Sequence, residues 1–414
     1  MWPFVCLDAY FNGGGYAARL KGHIFTTSIQ VTKIHTSHRQ RIFPAAIANQ
    51  HIRKYMRNVT LVLSDGTKFH GQSFGFEAPV AGEVVFNTAM MGYPESLTDP
   101  SYAGQLMTLT YPLVGNYGVP PLTKGEDGLE TYIESDRIYA SAIIVSDYSE
   151  EYSHWNAQES LGSWLKREKV PGITGIDTRE LTKVLREHGV MMGKIIFDDE
   201  PDNIPDAQYE NVNYVAQVSC KEIIRYNEGA DHKKVVLVDC GVKNNIIRSL
   251  IKRGVEVVRV PWDYDFNTLE FDGLFLANGP GNPETCEVTV EHIRQYFASP
   301  KVRPCMGICM GNQLLSKAAG ATIYKLKYGH RSHNQPVRKV DSTSCFVTSQ
   351  NHGYAVDSRT LPAEWEPYFV NMNDGSNEGV RHKTNPWFSA QFHPEACSGP
   401  VDTMSMFDDF VNLL

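Results

Sequence analysis

Ten residues, Pro304-Cys305-Met306-Gly307-Ile308-Cys309-Met310-Gly311-Asn312-Gln313, constrain this chain more than any other stretch. A short apolar run meets two glycines placed symmetrically about Cys309, and Leu314-Leu315-Ser316-Lys317-Ala318-Ala319 continues with helical character. The pattern predicts a strand, a sharp turn with Cys309 at its apex, and a helix. Gly-x-nucleophile-x-Gly is the spacing of a nucleophile elbow, in which small neighbours let a strained residue sit between strand and helix. A sulfur at a helix N-terminus meets free amides and the positive end of the dipole, which favour thiolate over thiol. The competing interpretation is one more buried cysteine among the eight in the chain. What separates the two is whether the chain supplies partners for a reactive thiol.

The surroundings predict where such partners lie. From Lys233 onward strands alternate with helices. Val235-Val236-Leu237-Val238 is a continuous apolar run suited to a strand buried on both faces. A helix over 243–253, a strand over 255–260, a strand over 273–277 and a helix over 287–298 follow it. Such alternation implies right-handed crossovers and a mostly parallel sheet. Ligands bind such sheets at the carboxyl ends of the strands. Cys309 and the loop Asn278-Gly279-Pro280-Gly281 both fall at strand ends. So does His393-Pro394-Glu395, delivered by the predicted strand 388–392.

Residues two apart on an extended chain share a side, so His393 can face the thiol while Glu395 orients the imidazole. Nucleophile, proton shuttle and carboxylate are what acyl transfer needs. The tetrahedral intermediate also needs amide donors for its oxyanion. The Met310 amide, next after the nucleophile, is one. Gly279 is the natural second, because glycine lets a backbone amide approach a ligand closely. Standing alone, His393 reads more readily as a half-buried histidine beside a turn, and the Gly-Pro-Gly loop as an ordinary turn.

The first half differs in texture. Strand-like segments at 59–63, 68–71, 83–86, 106–111 and 138–145 are joined by turns such as Ser64-Asp65-Gly66. Helices fit 160–168 and 178–188, the second opened by Asp177 as N-cap. The expected architecture is α/β: a β-rich domain over 58–200, a linker over 201–232 with Pro201 and Pro205, and the alternating domain over 233–414. Residues 1–57 hold eight Lys/Arg and one acid, Asp8. This leader reads either as an organelle transit peptide or as a disordered basic tail. The net charge of −8 argues against nonspecific nucleic-acid binding. No apolar run approaches the ~20 residues of a membrane helix. The cysteines form no CxxC pair, and Cys305 and Cys309 lack a companion Cys/His set, so no metal centre is expected and the chain reads as reduced and intracellular.

Taken together, Gly-Ile-Cys-Met-Gly-Asn-Gln, Asn-Gly-Pro-Gly-Asn-Pro and Gln-Phe-His-Pro-Glu-Ala, in this order and spacing, resemble a class I (triad) glutamine amidotransferase. The residues Gly82-Glu83-Val84-Val85-Phe86-Asn87-Thr88, Gly92 to Tyr102, Gly115-Asn116-Tyr117-Gly118 and Gly175-Ile176-Asp177-Thr178-Arg179 resemble the small subunit of carbamoyl-phosphate synthetase. The likeness runs from about Val59 to the end of the chain. Asp239-Cys240-Gly241-Val242-Lys243 and Asn373-Asp374-Gly375-Ser376-Asn377 are similar to the fused animal enzymes.

The resemblance implies Cys309 as nucleophile, His393 as general base and acid, and Glu395 as its orienting carboxylate. It implies glutamine contacts from Ser101, Gly279, Gly281, Met310, Gln313, Asn351, Gly353 and Tyr354. The implied reaction hydrolyses glutamine through a thioester and passes ammonia to a synthetase, either a large subunit or a C-terminal region absent from this chain. ATP and magnesium belong to that partner, and no cofactor is expected here. The product would feed arginine, urea or pyrimidine synthesis, in the mitochondrial matrix or the cytoplasm. Two alternatives are a non-catalytic docking module and an amidotransferase serving another synthetase, which the first domain opposes. Met310 and Asn312 depart from the Leu and His common in the family; Met for Leu preserves volume and polarity, and Asn312 exchanges one polar group for another beside the elbow.

Overall fold

The computed structural model describes residues 56–414. The basic leader lies outside the described residues except for its end. There Arg57 pairs with Glu77, Asp199 and Glu200 and so belongs to the first domain.

That domain is a closed barrel. Asn58–Leu63 pairs antiparallel with Lys68–Ser73 and with Met191–Phe197. Val80–Asn87, Gln105–Leu109, Ala142–Ile144 and Gly172–Thr174 pair in parallel and complete the ring. The parallel step between Val80–Asn87 and Gln105–Leu109 needs a crossover, which the short helix Tyr93–Thr98 and the 3-10 turn Pro100–Tyr102 provide. This crossover carries Asp99 and Ser101. The helices Leu161–Arg167 and Thr178–His188 appear where expected. Ser160 and Asp177 cap their first turns by accepting from Ser163 and Glu180 amides. The strand expected over 138–145 is shorter, because the Tyr139 amide turns back to the Leu97 carbonyl and only Ala142–Ile144 joins the ladder.

The second domain is built on a ten-stranded sheet. Its centre is parallel: Glu256–Pro261, Lys234–Asp239, Gly273–Leu276, Cys305–Ile308 and Trp387–Ala390, in that spatial order. Beyond them Asn377–His382, Trp365–Asn371, Ile323–Lys339 and Cys345–Val356 continue the sheet antiparallel. Both faces are covered. Val236 and Val238 pack with Val290, Ile293, Leu314 and Leu315 of the helices Glu287–Ala298 and Met310–Ala319. Val235 and Leu237 point the other way, onto Ile246 and Leu250 of Asn244–Ile251 and Phe407 and Phe410 of Ser405–Val411. One strand thus feeds two cores by alternation, which is what a continuous apolar run predicts for a doubly covered sheet.

The 201–232 segment is not a free linker. It contains the helix Tyr214–Val218, capped by Asn213, and the strand Ile224–Tyr226, which forms the outer edge of the large sheet by pairing with Glu256–Pro261. Local propensity is weak over such short elements. Burial of Tyr209, Val215 and Val218 holds them in place.

Candidate active site

Cys309 sits between Cys305–Ile308 and the helix Met310–Ala319 with φ 53° and ψ −102°, a left-handed conformation that side chains rarely adopt. Its amide donates to the Ala390 carbonyl, so the adjacent parallel strand grips the strained residue. A side chain at Gly311 would sit 2.2 Å from the Leu276 carbonyl oxygen, so glycine is what lets the helix start pack directly on the neighbouring strand Gly273–Leu276. The sulfur faces the Asn351 carbonyl at 3.6 Å.

Ile308 and Ala390 are register partners in neighbouring parallel strands, and this brings the two strand ends together. The strand predicted over 388–392 is Trp387–Ala390. His393 lies beyond it, bridged to Ser349 of the antiparallel strand Cys345–Val356, and Glu395 lies in the following turn. The pair nevertheless meets: His393 Nδ1 donates to Glu395 Oε1 at 2.7 Å. His393 Nε2 makes no conventional hydrogen bond and is the nitrogen left to interact with the Cys309 sulfur. Burial alone would lower the imidazole pKa. The charge of Glu395 and the sulfur contact outweigh it, so the pKa is raised.

Glu395 in turn is held well below the ordinary carboxylate range. Burial opposes this, and the charges of Lys243 and His393 overcome it. Lys243 Nζ lies 3.1 Å from Glu395 Oε1, 3.9 Å from Glu134 Oε2, and donates to the Ala396 carbonyl at 2.6 Å. Neither Lys243 nor Glu134 was singled out from sequence. A lysine directly ahead of the helix Asn244–Ile251 was the available signal, because a cation at a helix N-terminus opposes the dipole and needs another reason to be there.

The loops of the two domains are tied at one carboxylate. Asp99 accepts from the Ser101 amide at 2.9 Å, from Asn278 Nδ2 at 3.3 Å and from Asn351 Nδ2 at 3.0 Å. Asn278 Nδ2 also reaches Ser101 Oγ at 3.0 Å. Gly279 follows Asn278, and its space is fixed by the backbone: a side chain there would lie 2.1 Å from the Cys240 carbonyl oxygen.

Cys309 opens into a cleft of about 450 Å³, counting the space open to solvent. Ser101, Gly279, Gly281, Gln313, Asn351, Gly353 and Tyr354 all line it. Met310 does not. Its side chain is buried in the apolar core, which leaves its backbone as the part that can serve the site. Tyr209 of the supposed linker forms part of the wall, as do Glu83, Lys325 and Arg331. A second cleft, lined by His393, Asp99, Lys243, His333 and Cys397, lies on the imidazole side.

Asn312 lies under the cleft rather than in it. Fully buried, it donates from Nδ2 to Gln391 Oε1 at 2.8 Å and accepts from Ser389 Oγ at 2.7 Å. Gln313 Nε2 also reaches Gln391 Oε1, at 3.2 Å, and the Tyr354 carbonyl, leaving its own Oε1 for the cleft. Asn312 therefore ties the elbow helix to the strand before His393. Asn312→Ala is expected to cost about 1–3 kcal/mol of stability by orphaning buried partners, with KM for substrate unchanged. A denaturant titration beside steady-state kinetics checks both.

Behind Asn351 to Tyr354, His330 bridges Asp374 at 2.9 Å and Glu378 at 3.4 Å, and abuts the buried ring of His352. Burial would lower the His330 pKa, but the two carboxylates raise it to about 9. Since the folded pKa lies above the ordinary histidine value of ~6.5, this stabilisation is complete below pH ~6.5 and is lost as pH rises toward 9. The thermal midpoint is expected to fall across that window in the natural protein and less steeply in His330→Gln. Parallel slopes in the two proteins would exclude the bridge as the cause.

A strained thiol, an imidazole with one nitrogen free and a carboxylate locked by lysine form an acyl-transfer set. A family profile described as carbamoyl-phosphate synthase small chain, CPSase domain, matches residues 61–195, and one described as glutamine amidotransferase class-I matches residues 236–413. The carbamoyl phosphate synthase arginine-specific small chain of Neosartorya fischeri is 46% identical, over 92% of this chain and 84% of that one. Its namesake in Aspergillus oryzae is 45% identical, over 96% and 88%. The mitochondrial carbamoyl-phosphate synthase (ammonia) of Homo sapiens is 49% identical over 86% of this chain, which spans only 23% of that longer protein. With both domains matched in order, and small chains matched along most of their length, this chain belongs to the carbamoyl-phosphate synthase small-chain family.

Proposed function

We propose that this chain is the glutamine-hydrolysing component of a carbamoyl-phosphate synthetase, with Cys309, His393 and Glu395 as its catalytic residues. One observation carries the reading: a strained, left-handed cysteine opens onto a cleft shared by both domains, with a carboxylate-anchored imidazole behind it.

In this reading the Cys309 thiolate attacks the side-chain amide carbon of glutamine. The Met310 and Gly279 amides receive the developing oxyanion. His393, held as imidazolium by Glu395, gives its proton to the leaving nitrogen, and ammonia departs from a γ-glutamyl thioester. Water enters, His393 removes its proton, and hydrolysis releases glutamate and restores the thiol. The second cleft on the His393 side offers ammonia a route away from the glutamine mouth.

The consumer of that ammonia is a synthetase that joins it to bicarbonate with ATP, supplied as a large subunit or as a fused domain. The fungal relatives matched along most of their length are named arginine-specific, which supports arginine synthesis as the destination. The mitochondrial matrix or the cytoplasm is the proposed compartment. Among the described residues no helix is long and apolar enough to cross a membrane.

The test is a thioester trap. Acid-quenched protein mixed with glutamine is expected to carry a glutamyl adduct that peptide mapping places on Cys309. An adduct elsewhere, or none during active turnover, would remove the mechanism.

A further inference from the structure

Arg331 is an unpaired cation in the wall of the glutamine cleft. The residue is 5% exposed, and it lies in the long strand Ile323–Lys339 opposite Asn351. Its Nη1 donates to the Tyr328 carbonyl at 2.9 Å, its Nε is buried without a partner, and Nη2 lies beside Gly353. Among the described residues no carboxylate forms an ion pair with it. The other charges of the wall are already matched. Lys325 reaches Glu83 Oε1 at 2.9 Å and also pairs with Glu210, while Glu83 accepts from Gln105 at 2.8 Å through its other oxygen.

A buried guanidinium with no counter-charge is costly unless an anion completes it. Its planar fork suits a carboxylate, which it can hold through two parallel hydrogen bonds. Glutamine reacts at its amide end and brings its α-carboxylate in at the opposite end. We infer that Arg331 binds the α-carboxylate of glutamine and thereby selects amino-acid amides over amides that lack that group. This assignment rests on the function proposed above.

Steady-state hydrolysis of glutamine and of 4-aminobutanamide, which lacks the α-carboxylate, separates the possibilities in the chain assembled with its synthetase. In Arg331→Gln, KM for glutamine is expected to rise on the order of a hundredfold with kcat nearly unchanged. KM for 4-aminobutanamide should stay where it is in the natural protein, so that discrimination between the two amides collapses. Arg331→Lys keeps the charge but not the fork and should fall between the two, which preserves the test if the glutamine variant does not fold. An unmoved KM, or equal losses on both amides, overturns this assignment while leaving the glutaminase reading intact. Failure of the natural protein to hydrolyse glutamine at all overturns both.

Discussion

Replacing Cys309 by serine is expected to lower glutamine hydrolysis on the order of a thousandfold or more, because the covalent route loses its nucleophile. The swap is nearly isosteric. The backbone strain at φ 53° is imposed by the Ala390 hydrogen bond and the close helix packing, so the fold should be unaffected. Serine cannot substitute chemically, since its hydroxyl is far less acidic than a thiol. Two assays define the outcome in the assembled synthetase. Glutamate release should vanish, while carbamoyl phosphate formation from added ammonia should persist because that route never uses the sulfur. Glutamine-dependent activity surviving in Cys309→Ser would mean that the chain is a docking module whose cysteine is incidental.

The second large effect is expected on stability. Lys243→Met keeps most of the unbranched side chain and removes the charge shared by Glu395 and Glu134. Breaking a buried ion cluster in this way costs about 3–5 kcal/mol, since Glu134 loses its cation and Glu395 keeps only its pairing with His393. Glu395 has a depressed pKa in the folded protein, so its contribution is present above the ordinary carboxylate value and is lost only in strong acid. Without Lys243 that loss should move to milder acid. Denaturant unfolding at neutral and mildly acidic pH reads both effects. A variant as stable as the natural protein at neutral pH would show that the lysine does not hold the cluster together.

The proposed catalytic trio was legible because each member lies in a short contiguous motif with its own local geometry. The parity argument for His393 and Glu395 reached the right pairing through a strand that ends sooner than expected: the contact is made in the turn, after the bridge to Ser349. The residues that went unread are those whose role depends on distant contacts. Lys243 meets the Ala396 carbonyl across 153 positions, and Asp99, unread in the sequence, meets Asn351 across 252. No periodicity encodes such pairs. The contacts of Asn312 were unreadable for a related reason: it stands beside the elbow in sequence, and the helix turns it into the core against Gln391. The 201–232 segment looked like a linker because its helix and strand are too short to announce themselves, and Tyr209 gains its place only by packing against the cleft.

Asp99 sets a limit on how modular this architecture is. Its two oxygens hold one loop from beside Gly279 and another that presents the Asn351 carbonyl to the sulfur. The barrel therefore cannot tilt without dragging the floor and the rim of the reaction chamber together. A protein excised at the 201–232 segment would keep its nucleophile, base and carboxylate in sequence. It would lose the clamp that joins the Asn278 and Asn351 loops, and the barrel is best regarded as half of the cleft's jaw rather than a neighbouring passenger.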